Sequence, residues 1–361
     1  MAAPDSDAAS FDAIRKGMFC LKADIDWPDR ELRALARIRG PAAEGGDDGS
    51  TRPPGAAFGA RCSQQRLAGT FHEVYLASSE AHRRHVVRVP VRRSAFFNDL
   101  LRVEAHVASA ARGCGLPVPR ISLQETRGEA GPAWCHHVEY LPGVPLSDSD
   151  DDEAATAALL RHLVRWLRQL HAVEGEGFGP VSLRACGALS ESRTLAGVHR
   201  TWSGFVLTRL EAHVAACLDM AAIDHAERAQ ILSLFSRADA VLASQDRPAL
   251  LHGDLGGRNM LVADGRVVGL IDWEDSLLGD PLFDFAGLAT FHPRRRHDSI
   301  IEACGIAGQA AELRLFWLYY LRIALAKTVH RQRFGYLDRP DREPAAGRIQ
   351  IALAQLGGIK P

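Results

Sequence analysis

Apolar positions follow two different rhythms along the chain, and the change falls near Leu146. Before it, short runs alternate as strands do: Gln65 to Ala68, Glu73 to Ala77, His85 to Val89 and His136 to Tyr140. One helix interrupts them, from Ser94 to Ala111, with Ser94 as its cap and Gly113 and Gly115 as its stop. After Leu146 the strand signal nearly vanishes. Leu159, Leu160, Leu163, Leu167 and Leu170 form one stripe of a helix over Asp151 to His171, and further helices are expected at 200–218, 225–243, 299–304, 311–333 and 343–356. One hairpin lies among them: Met260 to Ala263 and Arg266 to Ile271, joined by Asp264-Gly265, a two-residue turn signal. The pattern predicts an α+β chain with a small sheet-rich lobe over 57–141 and a larger helical lobe over 142–361. Residues 1–56 form an extension with a short helix at Arg30 to Arg39 and a Gly- and Pro-rich linker from Gly40 to Ala56.

Charge and cysteine usage narrow the function classes. The 361 residues carry 43 Lys+Arg against 44 Asp+Glu, a net charge of −1, which gives no electrostatic case for a nucleic-acid partner. The seven Cys are scattered without a C-x-x-C pair, as expected in a reducing cytosol. No apolar run approaches the ~20 residues of a membrane span, and the first residues lack the apolar stretch of a signal peptide. A cytoplasmic protein with no membrane partner is the expectation.

The candidate chemistry sits in Leu251 to Ala286, which reads LHGDLGGRNMLVADGRVVGLIDWEDSLLGDPLFDFA. With Ala263 facing Arg266 across the turn, counting back places Asn259 opposite Leu270 and Asp272 two residues further on. Asp254 lies on the loop entering the first strand. Phosphoryl transfer calls for such a convergence of oxygen ligands. The donor's charge must be neutralised by Mg²⁺, and the attacking hydroxyl must be oriented and deprotonated. A second pairing follows from burial alone. On its helix Glu104 has Phe97, Leu100, Leu101, Val107, Ala108 and Ala111 as neighbours, so its carboxylate needs a cation.

HGDLGGRN followed by IDWEDSLLGDPLFDFA resembles the aminoglycoside phosphotransferase and choline kinase family, and the similarity extends weakly from about Gly69 to the C-terminus. The resemblance implies a bilobal protein-kinase-like fold and transfer of a phosphoryl from ATP or GTP to a hydroxyl. It implies Asp254 as catalytic base and Asn259 and Asp272 as Mg²⁺ ligands. It makes Arg88 the phosphate-holding cation and Glu104 its partner. Arg88 departs from the family's usual Lys and adds a fork suited to phosphate. Gly69 and Thr70 fall in the phosphate-covering loop. The backbones of Glu139 and Leu141 take the hinge positions that meet the base, and Leu261 packs beneath it.

The third position of the triplet Asp272-Trp273-Glu274 holds Glu rather than Gly, so a flipping activation loop is not expected. Structural roles are expected for His252, Asp280 and Asp284. Glu274 and Asp275 are candidates to face the acceptor. The acidic run at 147–153 and the basic run at 292–297 read as solvated surface. The acceptor expected is a small hydroxyl-bearing molecule, an antibiotic or other secondary metabolite. The alternatives are Ser or Thr of a maturing peptide, or a non-catalytic nucleotide-binding module.

Overall fold

A computed structural model describes residues 62–67, 72–79, 84–90, 95–128, 131–146, 153–182, 194–333 and 344–359. The expected extension at 1–56, the cap Ser94 and most of the acidic run lie outside the described residues. The described elements run β1 Cys62–Leu67, β2 His72–Ser79, β3 Arg84–Pro90, α1 Ala95–Gly113, β4 Ile121–Gly128, β5 Gly131–Glu139, β6 Val144–Pro145 and α2 Glu153–Leu170. They continue as β7 Phe178–Val181, β8 Gly197–His199, α3 Trp202–Val206, α4 Leu210–Asp219, α5 His225–Ala243 and β9 Ala249–Leu251. The last are β10 Met260–Ala263, β11 Arg266–Leu270, β12 Leu277–Gly279, α6 Pro281–Phe291, α7 His297–Cys304, α8 Ala310–Arg333 and α9 Ala345–Gly358. Among the described residues no helix is long and apolar enough to cross a membrane. They cluster into two compact units, one within 40–149 and 258–274, the other within 150–257 and 275–361.

In the first unit β1-β2-β3-β5-β4 form an antiparallel sheet. Strand alternation puts Tyr75, Ala77, Val87, Val89 and Cys135 together as a buried cluster. Val74 and His136 flank Arg88 in register on the opposite face. There His136 donates from Nε2 to the Leu101 carbonyl of α1 at 2.8 Å. Strand β4 was not expected. It is an edge strand held by backbone pairing to β5, and from Ile121 to Gln124 its side chains alternate only between half-buried and exposed.

A second sheet, β11-β10-β6, contains the expected hairpin, with one correction to its register. Met260, not Asn259, faces Leu270, because a β-bulge interrupts the ladder between Leu261 and Val262 and leaves Val268 unpaired. Val268 packs against the chain ahead of β6: a Cβ on Gly143 would come within 2.9 Å of it.

The second unit is mainly helical, with a small sheet in the order β8-β7-β12-β9. These three- and four-residue strands are too short to leave a period in the sequence. The centre is aromatic. Trp202 donates to the Tyr319 hydroxyl at 2.7 Å, and Tyr319 donates to Asp280 at 2.8 Å. Asp280 also caps α6 by accepting from the Leu282 N–H at 2.9 Å, with Pro281 opening the helix. The single helix expected over 200–218 is two. It breaks at Arg209, which has φ 54°, and the carbonyls of Val206 and Thr208 accept from the buried guanidinium of Arg322 on α8. The break is stabilised by a residue more than a hundred positions away, so local periodicity does not reveal it.

Candidate active site

Arg88 lies on the middle strand of its five-stranded sheet, and the face it points to is set by alternation with the buried Val87 and Val89. Its Nη1 donates to Glu104 of α1, whose side chain is 1 % exposed. Its Nη2 donates to Asp272 at 3.1 Å, and Glu274 Oε2 lies 3.8 Å away. Burial pulls the guanidinium's pKa down, but the carboxylates of Glu104, Asp272 and Glu274 outweigh it and the net shift is upward. Arg88 therefore stays charged. His136 stands on the other side of Glu104, its Nδ1 3.4 Å from Oε2. Burial, and then the nearby Arg88 charge, push its pKa down to about 3, so it is neutral with its proton on Nε2, donated to Leu101. Sequence reasoning did not single out His136. A polar residue on the buried register of a strand, between Trp134 and Val138, was the available signal.

The hairpin brings Asn259 and Asp272 to one end. The Ile271 N–H donates to the Asn259 carbonyl at 3.0 Å, which places Asp272 one residue beyond this pair instead of two. Asn259 is buried, and the Asp272 side chain is 34 % exposed. Asp272 has φ 67°, a left-handed conformation that Asp tolerates better than most residues. The conformation turns its carboxylate off the strand direction, toward Arg88, at a backbone cost on the order of 1 kcal/mol. In the following turn the Trp273 indole donates to the Leu270 carbonyl at 3.0 Å. Glu274, considered above as an acceptor contact, faces Arg88.

The residues expected at the hinge also lie in this unit. Glu139 ends β5, its N–H donating to the Arg120 carbonyl at 2.9 Å, while its carboxylate accepts from the Arg120 N–H at 3.0 Å. Leu141 and Leu261 close around Gly269, where an added Cβ would lie 2.8 Å from Leu141 and 3.3 Å from Leu261. Gly69 and Thr70 lie outside the described residues.

In the second unit the loop His252-Gly253-Asp254 is held from beneath by Asp284 of α6. The His252 N–H donates to Asp284 Oδ2 and the Gly253 N–H to Oδ1, each at 2.9 Å, and His171 Nε2 lies 3.1 Å from Oδ2. The Asp284 carboxylate thus organises the loop as well as standing in the first turn of its helix. His252 is buried, and its Nδ1 accepts from the Asp254 N–H at 3.4 Å. Gly253 has φ 81°, and a Cβ there would meet the Asp275 carbonyl at 2.1 Å, so only glycine fits. Asp254 is half-buried on this rigid loop. Gly256, two residues on, packs against the Phe291 ring, and Lys327 lies 3.2 Å over that ring while donating to Thr290 at 2.9 Å.

The amide oxygen of Asn259 and the carboxylate of Asp272 are hard oxygen donors. They suit Mg²⁺, which takes one or two protein ligands and fills its shell with water and phosphate. Among the described residues no group of three or more His, Cys, Asp or Glu side chains is placed to hold a metal ion.

The model of the Phosphotransferase enzyme family (APH) matches residues 63–317. Hygromycin-B 4-O-kinase of Escherichia coli is 25 % identical over 218 residues, which span 58 % of this chain and 57 % of that relative. Among solved structures, a thermostable mutant of aminoglycoside phosphotransferase APH(4)-Ia, in a ternary complex with ADP and hygromycin B, superposes with a TM-score of 0.60. It is 19 % identical and covers 83 % of this chain and 95 % of its own. The macrolide 2'-phosphotransferase MphH of Brachybacterium faecium gives a TM-score of 0.51 at 18 % identity, over 84 % of this chain and 95 % of its own. The fold is therefore the kinase-like α+β fold of these phosphotransferases.

Proposed function

The chain belongs to the phosphotransferase enzyme family, and from that premise we propose that it moves the γ-phosphoryl of ATP or GTP to a hydroxyl of a small molecule, an antibiotic or other secondary metabolite. The observation that carries this reading is Arg88. One guanidinium joins the central strand, the buried Glu104 of α1 and Asp272 at the hairpin end. A cation locked to a helix acid beside a half-exposed carboxylate suits donor phosphates better than it suits a structural core, where hydrophobic packing would serve as well.

In this reading Asp254 accepts the proton of the acceptor hydroxyl. The acceptor oxygen attacks the γ-phosphorus, the bond to the β–γ bridging oxygen breaks, and the nucleoside diphosphate leaves. Arg88 holds the donor's phosphates. Asn259 and Asp272 are the residues that would hold Mg²⁺, whose charge, when bound, offsets that of the phosphates. Glu139 and Leu141 offer hinge backbone to the base, with Leu261 packing beneath it; Gly69 and Thr70 complete the phosphate cover. The relatives quoted above make hydroxyl-bearing antibiotics the first acceptors to try, and none of them supports the peptide alternative.

The test is Mg²⁺-dependent consumption of ATP or GTP across a panel of hygromycin B, other aminoglycosides, macrolides and a Ser/Thr peptide. Products are checked for the added phosphate by mass. The expected result is acceptor-dependent turnover with at least one small molecule, lost in Asp254→Asn. Absence of both nucleotide binding and turnover would overturn the reading.

A further inference from the structure

The loop that carries Asp254 is held on both sides. Ahead of Asp254, the Asp284 carboxylate accepts from the His252 and Gly253 N–H groups, each at 2.9 Å. After it, the Gly256 N–H donates to the Asp254 carbonyl at 2.9 Å, so Asp254-Leu255-Gly256 is a three-residue turn. The far end of that turn meets Phe291, the last residue of α6. A Cβ on Gly256 would lie 3.2 Å from ring carbon Cε1 and 3.4 Å from both Cδ1 and Cζ, so the ring fills the space a side chain would need. The ring is itself held. Lys327 of α8 places Nζ 3.2 Å from its centroid and donates from the same atom to Thr290 Oγ1 at 2.9 Å. That hydroxyl in turn donates to the Gly287 carbonyl at 2.7 Å. Lys327 is one of four lysines among 43 Lys and Arg residues. In a chain this rich in Arg, a lysine here suits a contact that takes a compact ammonium rather than a planar fork.

We propose that Phe291, clamped by Lys327, braces the Asp254 turn and so positions the base for the acceptor hydroxyl. The proposal rests on the reading of Asp254 as that base. The bond from the Gly256 N–H to the Asp254 carbonyl ties the two ends of the turn together, so a displacement of Gly256 reaches Asp254 directly. A fixed flat ring sets where Gly256 sits; a flexible aliphatic side chain in its place would let the turn spread. A general base works only within hydrogen-bond reach of its proton, and a misplacement of about 1 Å can cost on the order of 10²-fold. In this role Phe291 and Lys327 touch no reacting atom. They are positioning residues, acting through Gly256 on Asp254.

The experiment compares wild-type protein with Phe291→Leu, Phe291→Tyr and Lys327→Met. Hydrogen exchange is followed in peptides covering 252–257, and turnover is measured with MgATP and hygromycin B, or with the panel member that turns over fastest. Phe291→Leu should speed exchange at 252–257 while peptides of α5 and α9 stay unchanged, which separates local loosening from general unfolding. It should lower kcat roughly 10–100-fold, with acceptor KM and ATP affinity within about 2-fold. Lys327→Met should act in the same direction by roughly 3–5-fold, the effect of one lost cation–π contact. Phe291→Tyr, which keeps the ring, should keep wild-type exchange and kcat. In an Asp254→Asn background, Phe291→Leu should lower kcat by less than about 2-fold further, because the base it positions is gone. Unchanged exchange at 252–257 in Phe291→Leu overturns the proposal, whatever the acceptor. An equal loss of kcat in both backgrounds also overturns it, because the ring would then act on something other than Asp254. If wild-type protein neither binds ATP nor turns over any acceptor, the function reading falls and takes this proposal with it.

Discussion

Removing Glu104 or Arg88 should destabilise the first unit unequally. Severing a buried ion pair costs about 3–5 kcal/mol when the survivor is left uncompensated. Arg88→Met takes the arginine from the buried Glu104 carboxylate, so it should carry the larger cost, about 3 kcal/mol. Glu104→Gln leaves Arg88 with Asp272 at 3.1 Å and Glu274 at 3.8 Å, and the amide oxygen can still accept, so about 2 kcal/mol is expected. The double variant removes both charges together and should cost at least ~2 kcal/mol less than the sum of the singles, because the residues act as a unit. Urea unfolding of the four proteins, followed by tryptophan fluorescence, supplies the cycle. Additivity within ~0.5 kcal/mol would refute the pairing, and an equal cost for the two singles would refute the compensation by Asp272 and Glu274. Neither single nor double variant should keep normal nucleotide affinity.

Four other outcomes follow from the geometry. Asp254→Asn should lower kcat about 10²–10⁴-fold while leaving nucleotide affinity within a few-fold, read by turnover and calorimetry; near-normal kcat would remove the base assignment. Asp272→Ala should abolish Mg²⁺-dependent nucleotide binding, which titration with and without metal would register. Asp284→Asn sets an amide N–H against a backbone N–H of the loop and should cost about 1–3 kcal/mol and most of the activity; full activity would mean the carboxylate does not hold the loop. For His136 the folded pKa of about 3 lies below the ordinary value, so the unfolded chain binds the proton first. Stability is then complete above pH ~6.5 and declines as pH falls toward 3. His136→Gln, which can still donate to Leu101, should flatten that decline between pH 6.5 and 5 in pH-dependent melts.

Wherever apolar spacing and capping were local, the sequence by itself was enough. Leu159 to Leu170 announce α2, and Asp264-Gly265 turns the hairpin. Side-chain chemistry was also legible where burial forced it: an acid amid the apolar neighbours of Glu104 had to find a cation, and Arg88 is there. Tertiary structure decided what depends on distant partners. The break at Arg209 is satisfied by Arg322, and the bulge at Val268 shifts Asn259 from Leu270 to Ile271. Asp284 becomes the anchor of the His252-Gly253 backbone only because α6 packs under that loop. Glu274 turns to Arg88 because Asp272 adopts a left-handed backbone and Trp273 pins the turn. Hydrophobic period and turn propensity are properties of neighbouring residues. Which donor meets which acceptor across the fold is settled by packing, and a linear pattern carries no record of it.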